Sequence, residues 1–195
     1  MKQPEHEVRR PTAAELEKEI KRRKTAREYR LAVWGALRTL LIFAAAAVLI
    51  STLLFPVIRV QQNSMTPTLQ EGDLLIFITA GQIKKSDVIA FHYNDQVLIK
   101  RIIAVESELI DIGFDGVVTI NSEPFNEPYI SSHSFGECTI ELPLQVAANQ
   151  FFVMGDHRET SKDSRIKEIG TIHKDRMIGK AIIRIWPINR IGLLL

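Results

Sequence analysis

The sequence has a single cysteine, Cys138, so no disulfide can close within the chain and no cysteine-based zinc site can form. A small, buried, apolar role suits such a lone thiol. There is no H-E-x-x-H pair to hold a catalytic zinc, no P-loop and no G-x-G-x-x-G to cradle phosphates. No G-x-S-x-G elbow frames a serine, although His92, His133, His157 and His173 are available as partners. Excess charge is also lacking. The net charge of +2 over 195 residues points to no class of partner.

Charge is missing altogether from residues 39–58, "TLLIFAAAAVLISTLLFPVI". About 20 apolar residues suffice to cross a hydrocarbon core as a helix. Trp34 and Arg38 stand at its start, where an interfacial aromatic and a snorkelling cation belong. Lys18, Lys21, Arg22, Arg23, Lys24, Arg27 and Arg30 all precede it. Residues 13–30 are rich in helix formers and predict a solvated basic helix. No aromatic or glycine-rich pattern accompanies it, so no nucleic-acid partner is expected. A polar stretch of 38 residues ahead of the apolar run is far too long for a cleavable leader. The expected organisation is a cytoplasmic basic helical segment over 1–38, a single-pass anchor over 39–56 ended by Pro56, and an extracytoplasmic domain over 57–195. With so short a connection, that domain begins at the membrane surface.

Beyond Pro56 the pattern becomes short apolar runs. Strands are predicted at 57–60, 73–78, 87–93, 96–105, 109–113, 116–120, 139–142, 150–155 and 177–186. Turn signals such as "EGD", "YNDQ" and "NSEP" separate them. Closely spaced strands without helical periodicity predict a mainly β, antiparallel domain of barrel or sandwich type.

Three stretches can carry chemistry. Ser64 lies in "VQQNSMTPTLQEGD", a polar loop in which it could be no more than a turn residue. Lys100 lies in "VLIKRIIAV", where alternation puts it on one strand face with Leu98 and Ile102, and Arg101 on the other with Ile99 and Ile103. A lysine buried there would be driven towards its neutral form and could serve as a base. A lysine on a solvated face or a charged edge would be a structural residue only. The third stretch, "FFVMGDHRETSKDSR", is either an exposed salt-bridged loop or a pre-organised hydrogen-bonded one.

Taken in order after one anchor, "NSMTPTLQEGD", "SDVIAF", "LIKRIIAV" and "VMGDHRETSKDSR" resemble the bacterial type I signal peptidases, as do "INSEPFNEPYI" and "IGKAIIRIWP". The likeness spans roughly residues 35–195 and is nearest the Gram-positive branch. It implies a twisted antiparallel-sheet fold and a Ser/Lys dyad endopeptidase that needs no cofactor. The implied substrates are secretory preproteins, cut after a small-x-small motif beside the lipid bilayer and the translocation machinery. Ser64 is then the nucleophile and Lys100 the general base. Ser161 would orient the lysine, Asp163 and Arg165 would brace the loop, and Arg101 would neighbour the lysine. A substrate strand between 58–62 and 97–100 would meet shallow pockets from Ile58, Val60, Met65, Leu98 and Ile99. The chain departs from the family pattern where Gln62 and Asn63 precede the serine, a place usually held by small residues. The Gln62 amide then either serves as an oxyanion donor or crowds the site. Two further departures are Glu106-Ser107 for Pro-Gly and His157 for Asn. They leave open a specialised or weakened paralogue that binds or processes few clients.

Overall fold

The computed structural model describes residues 12–194, the side chain of Glu15 excepted, so the first part of the expected 1–38 segment lies outside the described residues. Along the chain two compact units divide between residues 49 and 50.

One helix, α1, runs from Ala13 to Leu54. The expected basic helix and the anchor are therefore a single rod with no break between them. At 1.5 Å per residue, 42 residues reach about 60 Å, roughly twice a hydrocarbon core. Its C-terminal half is long and apolar enough to cross a membrane. Leu40, Leu41, Phe43 and Leu49 are all more than 60% exposed, and a helix that is apolar all round needs a nonaqueous surrounding. The helix ends two residues before the proline: Phe55 N–H still donates to Ser51 C=O, and Pro56 has no N–H to continue the series.

The second unit is built of antiparallel strands. In chain order these are β1 (Val57–Arg59), β2 (Leu74–Ile78), β3 (Val88–Tyr93), β4 (Gln96–Ala104), β5 (Leu109–Ile112) and β6 (Val118–Ile120). They continue with β7 (Glu123–Pro124), β8 (Leu144–Gln145), β9 (Gln150–Met154), β10 (Ile172–His173), β11 (Met177–Trp186) and β12 (Gly192–Leu193). The larger sheet has the order β1-β2-β11-β3-β4-β9-β10, with β12 beside β11. The smaller has the order β7-β6-β5-β8. The strand expected over 139–142 is absent. Thr139 and Ile140 instead give their N–H groups to the Arg165 carbonyl, so that segment follows the 151–165 loop rather than a sheet ladder.

Alternation sorts the larger sheet into two buried faces. Val60, Leu75, Phe77, Val88, Ala90, Ile99 and Ala181 point inward and pack together with Met65 and Leu69. Ile89, Phe91 and Ile102 point the other way, beneath Phe151, Val153 and Ile172. Burying each large side chain stabilises by about 1.5–3 kcal/mol. Strand β4 is covered on both faces, which is why both Lys100 and Arg101 are buried.

Two of the open backbone edges matter for the site. Among the described residues strand β1 pairs with β2 alone. Strand β4 pairs with β3 from Gln96 to Arg101, but its other edge meets β9 only from Arg101 onward. The sheet curls until these edges face each other across a cleft lined by residues 59–62, Ser64, Met65 and residues 96–100. Among the described residues no strand lies between the two edges.

Candidate active site

Ser64 sits in the loop between β1 and β2. Its carbonyl accepts a hydrogen bond from His157 N–H at 3.0 Å, which ties this loop to the end of β9. Gly72, at φ +91°, lets the chain turn back so that its N–H reaches Val60 C=O. The Ser64 N–H donates to no backbone acceptor among the described residues.

Lys100 Nζ lies 2.6 Å from Ser64 Oγ. The lysine is 1% exposed, between the Leu98 and Ile102 positions of β4. Burial pushes its ammonium down to a pKa of about 8; the Asp163 carboxylate opposes this, the Arg165 guanidinium adds to it, and Asp156 opposes it more weakly. A buried amine that can lose its proton near neutral pH, in contact with a hydroxyl, can act as a base toward that hydroxyl.

The surrounding loop is pre-organised. Asp163 Oδ1 accepts from Arg165 Nε at 2.8 Å, and Asp163 Oδ2 from Gly155 N–H at 3.0 Å. Arg165 also donates to the carbonyls of Phe135 and Arg158. Ser164 Oγ accepts from Val153 N–H. Arg101 makes a bidentate pair with Asp156, donates to Ser86 C=O, and lies 3.9 Å over the Tyr129 ring. This is a buried, hydrogen-bonded network rather than a solvated loop. Ser161 is buried close by, but its Oγ has no hydrogen-bond partner among the described residues, Lys100 included.

Val60, Met65, Leu98 and Ile99 line the cleft with Ser64, Lys100 and Gln62. Ile58 does not. It lies in β1 and packs against the inward core. Arg59, Gln61 and Val97, inside the flanks expected at 58–62 and 97–100, also line the cleft, and Gln96, outside them, escaped the sequence reading. So did the buried Glu127–Arg158 pair, the Tyr129 platform, and Asp73, which holds Gln70 N–H in the serine loop and pairs with Arg184 and Arg190. Among the described residues no cluster of His, Cys, Asp or Glu could hold a metal ion.

The family model described as signal peptidase, peptidase S26, matches residues 33–186. A signal peptidase I of Leptolyngbya laminosa is 32% identical over 150 residues, covering 68% of this chain and 70% of the relative. A signal peptidase I of Bacillus licheniformis is 29% identical over 167 residues, covering 79% and 89%. A crystal structure of a signal peptidase I from Enterococcus faecalis V583 aligns with a TM-score of 0.44 and 24% identity, over 51% of this chain and 97% of that one.

Proposed function

Because the chain belongs to the signal peptidase family, peptidase S26, it is a serine peptidase that removes signal peptides, and we propose that Ser64 is its nucleophile and Lys100 its general base. The observation that carries these assignments is the 2.6 Å contact between Ser64 Oγ and the buried Lys100 amine. With Lys100 neutral, the Ser64 hydroxyl donates into the amine lone pair. As Oγ attacks the scissile carbonyl, its proton passes to Nζ. The ammonium then protonates the departing amine, leaving an acyl-enzyme and a neutral lysine. A water takes the place of the amine, gives its proton to Nζ, and attacks the ester. The ester C–O bond breaks, Ser64 Oγ leaves and takes that proton back from Nζ, and the cleaved signal peptide departs as the acid. The Ser64 N–H and the Gln62 amide are the donors for the oxyanion.

The substrate enters as the missing strand between β1 and the first half of β4. Two open edges supply backbone hydrogen bonds on both sides. Alternate substrate side chains then point inward at Val60, Met65 and Ile99, where the closed core leaves room for small residues only. That accounts for the small-x-small requirement. Asp163, Arg165 and Arg101 hold the loop and strand that carry the dyad, and Ser161 keeps a hydroxyl beside it.

The protein is membrane-anchored through α1. The cationic residues ahead of the apolar run favour an N-terminus in the cytoplasm and the β-rich unit outside. There it meets preproteins beside the bilayer, as they leave the translocation machinery.

The test is cleavage of a model preprotein in vesicles by the full chain, Ser64→Ala and Lys100→Met. Processing by the wild type and by neither variant is expected. Equal processing by all three would sink the assignment.

A further inference from the structure

The peptidase reading explains the two small positions of the cleavage motif and leaves the residue between them open. On that reading a substrate strand in the cleft has two faces. Its inward side chains meet Val60 and Ile99, which belong to one buried core with Met65. Its outward side chains must lie level with the outward residues of the flanking strands.

On the β1 side, exposure alternates: Ile58 and Val60 are turned inward, whereas Arg59 and Gln61 are exposed. On the β4 side, Ile99 is turned inward, and Gln96 lies on the face of Leu98 and Lys100. Besides Leu98, and Lys100 which is turned to Ser64, the outward face of the cleft carries Arg59 and the amides of Gln61 and Gln96. Among the described residues no carboxylate lines the cleft. The Arg59 guanidinium has no salt-bridge or hydrogen-bond partner among the described residues. Its Nη2 lies 3.8 Å from where a side-chain carbon at Gly72 would stand. Arg59 lines the cleft, is exposed, and is not neutralised by any described residue. An unpaired arginine beside two amides, with no acid to compensate, is a site for a carboxylate.

We infer that Arg59 is a specificity-determining residue that reads the side chain between the two small positions of the substrate. It favours signal peptides with an acidic residue there over those with a basic one. Glutamate reaches the guanidinium directly. Lysine at the same place meets like charge with nothing to relieve it.

The experiment uses the full chain in detergent or vesicles with three peptides differing only at that middle residue: Ala, Glu and Lys. For the wild type the Glu-to-Lys ratio of kcat/KM is expected to be about ten at low ionic strength, the size of one exposed attraction plus one exposed repulsion. Arg59→Gln brings the ratio near one, and Arg59→Glu inverts it. Raising the salt to about 0.5 M shrinks the wild-type ratio, because exposed charges are screened. A steric role for Arg59 would be blind to salt. A wild-type ratio near one, or one unchanged in Arg59→Gln, overturns the inference while leaving the peptidase reading intact. Absence of any Ser64-dependent cleavage of the Ala peptide overturns both.

Discussion

Gly155 and Ser161 face each other across the turn that follows β9, with no room for a side chain between them. A Cβ on Gly155 would come within 3.0 Å of Ser161 Oγ and, on its other side, of the Ser64 carbonyl oxygen. Glycine is required here by close approach, not by an unusual backbone angle. The same residue's N–H donates to Asp163. One atom's width thus keeps the serine loop, the buried hydroxyl and the bracing aspartate together.

Gly155→Ala therefore has to push the Ser64 carbonyl, which is backbone and cannot rotate away. Overpacking of this kind costs about 1–3 kcal/mol. Displacing the nucleophile by a fraction of an ångström costs more in rate than in stability. The expected outcome is a folded protein with a slightly lower melting temperature and kcat reduced at least about ten-fold. Thermal unfolding and steady-state kinetics on the same preparation check it. Unchanged kcat would mean that Ser64 is held some other way.

The same turn shows what could be read from the sequence. Strand β11 is the predicted run "MIGKAIIRIW" residue for residue, because ten apolar-rich residues overwhelm local ambiguity. The two-residue strands β7, β8, β10 and β12 carry too few residues to show a period. Asp163 and Arg165 are two apart, so their pairing is visible locally. Arg158 finds Glu127 across 31 residues, and nothing near either one announces it. Alternation placed Lys100 opposite Arg101, but only the packing of both faces of β4 shows that the lysine is dry. The need for Gly155 depends on a carbonyl in a distant loop and has no local signature. Gln96 joined the cleft through the curl of the sheet, which no strand pattern encodes.

Lys100 makes a prediction about stability as well as rate. Its pKa is about 8 when folded and 10.5 when not. Between those values the unfolded chain binds more protons than the folded one. Stability therefore rises with pH from 8 to 10.5, and the penalty for the buried ammonium is at full size below 8. Lys100→Met removes that penalty. At pH 6 the variant should be more stable than the wild type by roughly 3 kcal/mol, a gap that narrows toward pH 10.5. Denaturant melts at several pH values measure it. In the wild type, kcat/KM should rise with pH through about 8 as the amine loses its proton. Activity unchanged down to pH 4 would exclude a neutral-lysine base.

Asp163→Asn separates bracing from tuning. The carboxylate favours the charged form of Lys100, whereas Arg165 opposes it. Removing the carboxylate lowers the lysine pKa, so the rising limb of the rate profile should move to lower pH. It also leaves Arg165 buried without its counter-charge, at a cost of about 3–5 kcal/mol. Activity should therefore persist further into acid in whatever fraction remains folded, while the melting temperature falls steeply. A limb that stays in place or moves to higher pH would show that Asp163 does not act on the lysine.

Gln62 decides how the oxyanion is held. It is exposed, lines the cleft with Ser64, and forms no side-chain hydrogen bond among the described residues, so its amide is free to turn toward a developing charge. If that amide donates, Gln62→Ala lowers kcat by about 10²-fold with little change in KM, since the bond is made mainly in the transition state. Gln62→Glu should be worse than Ala, because it replaces a donor with a negative charge beside the oxyanion. If the long side chain merely crowds the cleft, Gln62→Ala and Gln62→Gly should both raise kcat instead. The rank order of Gln, Ala and Glu in single-turnover cleavage separates the two. Ala faster than Gln would remove Gln62 from the oxyanion hole and leave the Ser64 N–H as the donor there.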